Sequence, residues 1–182
     1  MKFFHNLARL AVVTVLALAL TIAGTPRAFA AAGNWLMFGN ALEQILKGGI
    51  DADSDTFRMV LVTSSYTPDQ SAHDTWSDIS TNEVAAGGGY STHGKLLTVT
   101  VTRSGLAVTI DCDDQSWTSS TITAKYAVIV RDANTDGSLA GTDLVVAIVD
   151  LNSGGGSIST TSGTLSVTIN ASGVYTLTAA SS

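Results

Sequence analysis

Asp132, Asn134 and Asp136 stand at alternate positions, and Gly137 follows at once. Hard oxygens at the first, third and fifth positions of a loop converge when a glycine allows the sharp turn; calcium loops gather their ligands this way. Asp143 stands at the twelfth position, where a helix–loop–helix calcium site has a bidentate glutamate, but its arm is one methylene shorter. Asp132, Asn134, Asp136 and Asp143 are therefore the candidate metal ligands, and calcium is the one cofactor the spacing suggests. Asp, Asn and Gly are equally the residues of an ordinary hairpin loop, so the spacing leaves both readings open.

Other chemistry is sparse. His73 and His93 lie in loop-like surroundings, with no His-Glu-x-x-His or His-x-His spacing for zinc. No Gly-x-Ser-x-Gly elbow is present for a serine nucleophile. Asp111, Asp113 and Asp114 cluster at one strand end, whereas a glycosidase needs two carboxyls facing each other across a cleft. Cys112 is the only cysteine, so no intrachain disulfide can form. Its acidic neighbours and lack of a nearby cation make it a poor nucleophile. The triple glycines at 87–89 and 154–156 lack the Gly-Lys-Ser/Thr of a phosphate loop. Tyr66, Trp76 and Tyr90, with Trp117, could form a stacking platform for sugar or another surface ligand. Asn170-Ala171-Ser172 matches a glycosylation sequon but reads as turn chemistry. No residue set points to catalysis, and the expectation is a protein that is not an enzyme.

The elements that would carry these residues begin after a leader. Lys2 and Arg9 precede an apolar run over 10–23, and Ala28-Phe29-Ala30 supplies small residues at the positions a signal peptidase reads. The run is short for a bilayer span, which needs about 20 apolar residues. Residues 1–30 are thus expected to be a signal peptide, with a single domain over 31–182 and membrane contact only during export. The leader carries three basic residues and no acid, so the remainder is more acidic than the whole chain's −6. Such a chain repels phosphate backbones, and nucleic-acid binding is not expected.

One helix is predicted at about 34–47, with Asn34 as cap, Trp35, Phe38, Leu42, Ile45 and Leu46 on one face, and Gly48-Gly49 as stop. Beyond residue 56 the period is two. Phe57, Met59 and Leu61 alternate with polar neighbours, as do Leu97, Val99 and Val101 with threonines. Leu106, Val108 and Ile110 follow a Ser104-Gly105 turn. Segments 126–130 and 144–149 are apolar on both faces and read as central strands. Leu165, Val167 and Ile169 are expected to pair with Tyr175 and Leu177 as a hairpin around 170–173. The long segment 64–89, with one helical turn near 74–78, is expected to be functional or mobile. These patterns predict a mainly β domain, an antiparallel sandwich of jelly-roll or immunoglobulin-like type with one N-terminal helix.

The order of segments carries a resemblance. Leu46-Lys47-Gly48-Gly49-Ile50-Asp51 is followed by Asp55-Thr56-Phe57-Arg58-Met59-Val60-Leu61-Val62, Ser65-Tyr66-Thr67-Pro68-Asp69 and Ala72-His73-Asp74-Thr75-Trp76-Ser77-Asp78-Ile79. Asn82-Glu83-Val84 leads to Gly89-Tyr90, and Asp111-Cys112-Asp113-Asp114-Gln115-Ser116-Trp117 precedes Ser120-Thr121-Ile122-Thr123-Ala124-Lys125-Tyr126-Ala127-Val128-Ile129. Over most of 34–178 this resembles a family of small structural proteins encoded among the virion genes of tailed bacteriophages and prophages. The resemblance implies a non-enzymatic decoration, tail or fibre component with no catalytic residues to carry over. It also implies self-association or contact with other virion or surface structural proteins. The chain departs from it in two ways: Cys112 stands where a small residue such as alanine is expected, and the leader directs export. Location in a virion and secretion to the exterior are the two expectations that follow. An exported carbohydrate- or surface-binding module, calcium-dependent or not, is the alternative.

Overall fold

A computed structural model of the chain describes the backbone of Arg27–Phe29 and residues 33–180 in full. The apolar run at 10–23 and the cleavage point after Ala30 lie outside the described residues. In chain order the elements are β1 (Arg27–Phe29), β2 (Leu36–Met37), α1 (Gly39–Lys47), β3 (Phe57–Val62), β4 (Lys95–Leu97), β5 (Val99–Ser104) and β6 (Ala107–Cys112). They continue with β7 (Gln115–Ser120), β8 (Thr123–Ala124), β9 (Tyr126–Arg131), β10 (Val145–Asp150), β11 (Ile158–Ser159), β12 (Gly163–Val167) and β13 (Tyr175–Thr178). Among the described residues the protein is mainly β, with antiparallel sheets and one helix, in a sandwich-like arrangement that does not close.

The central sheet has the order β2-β10-β9-β3-β4, antiparallel throughout. Its inner strands are β3, β9 and β10, whose runs of Val, Ile, Leu and Ala are buried on both faces. Continuous apolar runs require cover on both sides of a sheet. On the face bearing Phe57, Ile129 and Met37, that cover includes Ile45 of α1, Val99 of β5 and Ile110 of β6. Smaller sheets complete the fold: β13-β6-β5, β1-β12-β7 and the pair β11-β8. Among the described residues the single parallel pairing is β1 on β12, with Arg27 opposite Thr164 and Phe29 opposite Ser166.

Four local expectations change. The helix begins at Gly39, not near Asn34, because Leu36 and Met37 pair with Ile148 and Ala147 and hold residues 36–37 extended. It ends as expected. Gly48 adopts φ 75°, Gly48 N–H donates to the Ile45 carbonyl, and Gly49 N–H donates to that of Gln44. The helical stripe is only partly covered: Ala41 is buried, Leu42 and Ile45 are half-buried, and Leu46 stays 78% exposed.

The run through Leu97, Val99 and Val101 is two strands. It breaks at Thr98, passing from the central sheet into the β13-β6-β5 sheet. Asp113 holds the break: its Oδ1 accepts from Thr98 N–H at 2.6 Å, and its own N–H donates to the Thr98 carbonyl. The C-terminal hairpin does not form. Its turn is real, since Gly173 N–H donates to Asn170 O and Ser172 N–H donates to Asn170 Oδ1. However, β12 pairs with β7 and β13 pairs with β6, so the turn joins two sheets. Turn chemistry reports a local reversal and says nothing of which strand each arm will find. Finally, 64–89 is a fastened segment. It contains two short 3-10 turns, Trp76–Asp78 and Ser80–Asn82, and is bridged to the sheet at Val62–Glu83 and Thr75–Leu144.

Candidate functional site

The 132–143 loop leaves the end of β9 and returns to β10. Asp132 and Asp143 are 1% and 2% exposed, and burying a carboxylate is tolerable only when donors meet it. The loop's own amides are those donors. Asp132 Oδ1 accepts from Thr135 N–H at 2.8 Å and Oδ2 from Gly137 N–H at 3.1 Å. Asp143 Oδ1 accepts from Ala133 N–H at 3.3 Å and Oδ2 from Ala140 N–H at 2.8 Å. Thr135 and Gly137 take positive φ, which turns successive N–H groups inward. Asp136 accepts from Ser138 N–H at the exposed rim. Asn134 is exposed, and no bond fixes it toward the aspartates. Among the described residues, no group of three or more His, Cys, Asp or Glu side chains is placed to hold a metal ion. The calcium-like spacing here builds a carboxylate-pinned turn.

Beside this loop lies a polar latch that the sequence did not announce as one unit. Arg58 is the one charged residue of the otherwise apolar β3. Its Nε donates to the His93 carbonyl at 2.8 Å and its Nη2 to the Gly94 carbonyl at 3.2 Å. His93 sits at φ 63°, its N–H donates to Glu83 Oε1, and its Nδ1 accepts from Leu139 N–H at 3.1 Å. The neutral ring with the proton on Nε2 is therefore the form that makes this contact. The ring also stands edge-on to Trp76, with centroids 6.2 Å apart. Tyr90 OH donates to Glu83 Oε1 at 2.7 Å and accepts from Leu61 N–H at 3.1 Å. Burial and the Glu83 carboxylate push the Tyr90 phenol well above its ordinary range. A lone arginine inside an apolar strand is the signal that could have marked this place, because its polar head must find partners.

The expected stacking platform is corrected by burial. Tyr66, Trp76 and Tyr90 are 4%, 3% and 3% exposed, so their faces pack within the protein instead of meeting a sugar. Tyr66 OH bonds to His73 Nδ1 at 2.7 Å, and its ring meets Tyr126 edge-on. Its phenol is pushed up to about 12, chiefly by burial. Trp117 is buried too, beside Tyr90 and beneath the Lys95 ammonium. Their large apolar bodies pin the 64–94 segment to the core.

The remaining chemical candidates are also internal fittings. Asp113 clamps Thr98, and Asp114 Oδ1 accepts from Ile169 N–H at 2.8 Å. Cys112 is buried, with its thiol pushed up to about 12 by burial and then by Asp111, Asp113 and Asp114. At that value the thiolate is scarce at neutral pH. No protein-family model, curated protein or solved structure gives a significant match to the chain.

Proposed function

We propose that this chain is a non-enzymatic structural module that works in several copies, as a decoration, tail or fibre component of a virion-like particle or exported surface assembly. The observation carrying this reading is where polar chemistry stops. The buried carboxylates, the histidines and the central aromatics described above bind other parts of the same chain. What faces outward includes apolar side chains: Leu36, Leu46, Leu96, Leu106 and Leu177 are each at least half exposed. Between the end of α1 and the hairpin β5–β6 lies an open groove of about 370 Å³, with Ile45, Ile50, Val101, Val108 and Ile110 on its walls and Asp51 and Asp53 beside them. Single exposed leucines are ordinary, but a groove with five aliphatic side chains on its walls and carboxylates beside them favours contact with another protein surface. The order of segments resembling phage structural proteins supports the same reading.

Light scattering on the chain beginning at Ala31, from low micromolar to near-millimolar concentration, tests it. The expected result is a mass that rises with concentration to a defined multimer. A monomer throughout the range overturns the proposal.

A further inference from the structure

Among the described residues, strand β12 has β7 on one edge and the three residues of β1 on the other. Those three residues belong to the leader, immediately before the expected cleavage point after Ala30. Removing residues 1–30 leaves in place every buried apolar side chain among the residues whose burial is described, all of which lie between Phe38 and Val174. It does strip one edge of a sheet. We propose that leader removal uncovers the outer edge of β12, and that this edge then pairs with the same edge of a second copy. The inference rests on the exported-assembly reading above and specifies its contact.

Three observations carry it. First, the edge is competent for strand addition, because the chain's own Arg27–Phe29 already occupies it in register with Thr164–Ser166. An uncovered edge presents a row of unpaired N–H and C=O groups that another strand can satisfy. Second, the edge lacks the usual protection. From 151 to 182 there is no Lys, Arg, Asp, Glu, His or Pro. Edge strands that must stay single are normally blunted by charge or proline. Third, identical edges of an acidic protein can meet around a twofold axis only where like charges do not face each other. The half-buried residues of β12, Thr164 and Ser166, are small and neutral, whereas Leu165 and Val167 are fully buried in the core. Every copy therefore carries a self-complementary, uncharged strip, masked until the leader is cut.

The test compares three proteins by light scattering and sedimentation: the chain from Pro26, which keeps Arg27–Phe29; the chain from Ala31; and the chain from Ala31 carrying Thr164→Lys. Ser166→Lys, made separately, guards against a folding defect at either position, with melting and circular dichroism confirming the fold. The expected result is association of the Ala31 chain, with the Pro26 chain and both folded lysine variants monomeric at the same concentration. Unchanged association of the folded lysine variants overturns the edge pairing and leaves the assembly reading standing. Equal association of the Pro26 and Ala31 chains overturns the masking role of β1. A monomeric Ala31 chain at every concentration overturns both proposals.

Discussion

Replacing Asp132 by asparagine changes only one atom's chemistry, yet it should cost this protein dearly. Each carboxylate oxygen of Asp132 accepts one loop N–H, from Thr135 and from Gly137, at a site 1% exposed. Asparagine keeps one acceptor and sets an NH₂ against the other N–H. A hydrogen bond to a charged group contributes about 1.5–3 kcal/mol, and a buried donor left unmet costs about 1–3 kcal/mol. Part of each is recovered by small movements, so Asp132→Asn should destabilise by about 2–3 kcal/mol. At this chain length that is roughly 4–12 °C in Tm. Asp136→Asn, at the exposed rim, should stay within about 0.5 kcal/mol. Urea unfolding followed by tryptophan fluorescence measures both. The same samples decide the metal question. A ligand at a hundred times its Kd would add about 2.7 kcal/mol to the folded state. With the oxygens of Asp132 and Asp143 already engaged by amides, millimolar calcium should leave the wild-type midpoint unchanged. An Asp132→Asn protein as stable as wild type, or a calcium-dependent rise that this substitution abolishes, would refute the reasoning.

Other outcomes follow from single contacts. Trp76→Ala should destabilise by about 3–5 kcal/mol, the cost of emptying a buried aromatic site, and should not alter retention on polysaccharide columns. Gly94 holds φ 60°, and a Cβ there would collide with the Met59 carbonyl; Gly94→Ala should therefore lower the folded yield sharply in a solubility assay. The Thr75 and Asp74 N–H groups hold the Asp78 carboxyl below its ordinary value of 3.8. Its stabilising effect is then complete above that value and lost as pH falls through the lower folded-state value. Acid titrations of Asp78→Asn should lack that part of the acid-induced loss. Cys112 should resist iodoacetamide at pH 8 in the native state and react in urea, as mass spectrometry would read directly.

Much of the architecture was legible because burial on both faces leaves a strong mark. β9 and β10 are apolar at nearly every position, and a central strand is the element that such short runs make. The Ser104-Gly105 reversal was legible too, because Gly105 supplies the positive φ that a two-residue hairpin needs. The misreadings share a cause: period and turn signals are local, whereas partners are not. The alternation from Leu97 to Thr102 is unbroken, and nothing in it reveals that Thr98 is where the chain changes sheets. That change depends on Asp113, fifteen residues later. The turn at 170–173 is correct in itself, but its arms belong to different sheets. At the 132–143 loop the spacing left two uses open, an ion site or an ordinary turn. Asp132 and Asp143 do act together, as amide acceptors, and the same spacing that suits an ion suits inward-turned N–H groups.

The distribution of charge along the chain links the fold to its expected use. Asp and Glu from 43 to 143 recur at the places where this fold turns: Asp113 at the sheet switch, Asp132 and Asp143 in the β9–β10 loop, Glu83 under Tyr90 and His93. The last charged residue is Asp150, which pairs with Lys125 at 2.9 Å. Beyond it the chain makes β11, β12 and β13 from Ser, Thr, Gly, Tyr and aliphatic residues, none of them charged. A monomer gains nothing from leaving two neutral strands at sheet edges, because the same backbone groups that make a sheet also recruit unwanted partners. Single lysines at Thr164 or Thr178 would protect those edges without touching the buried core. Their absence has a physical use if the neutral edges are meant to pair, and a covering strand in the leader would postpone that pairing until export. The lysine substitutions on β12 therefore ask the sharper question of this molecule: whether its uncharged end is a tolerated weakness or the contact on which its assembly depends.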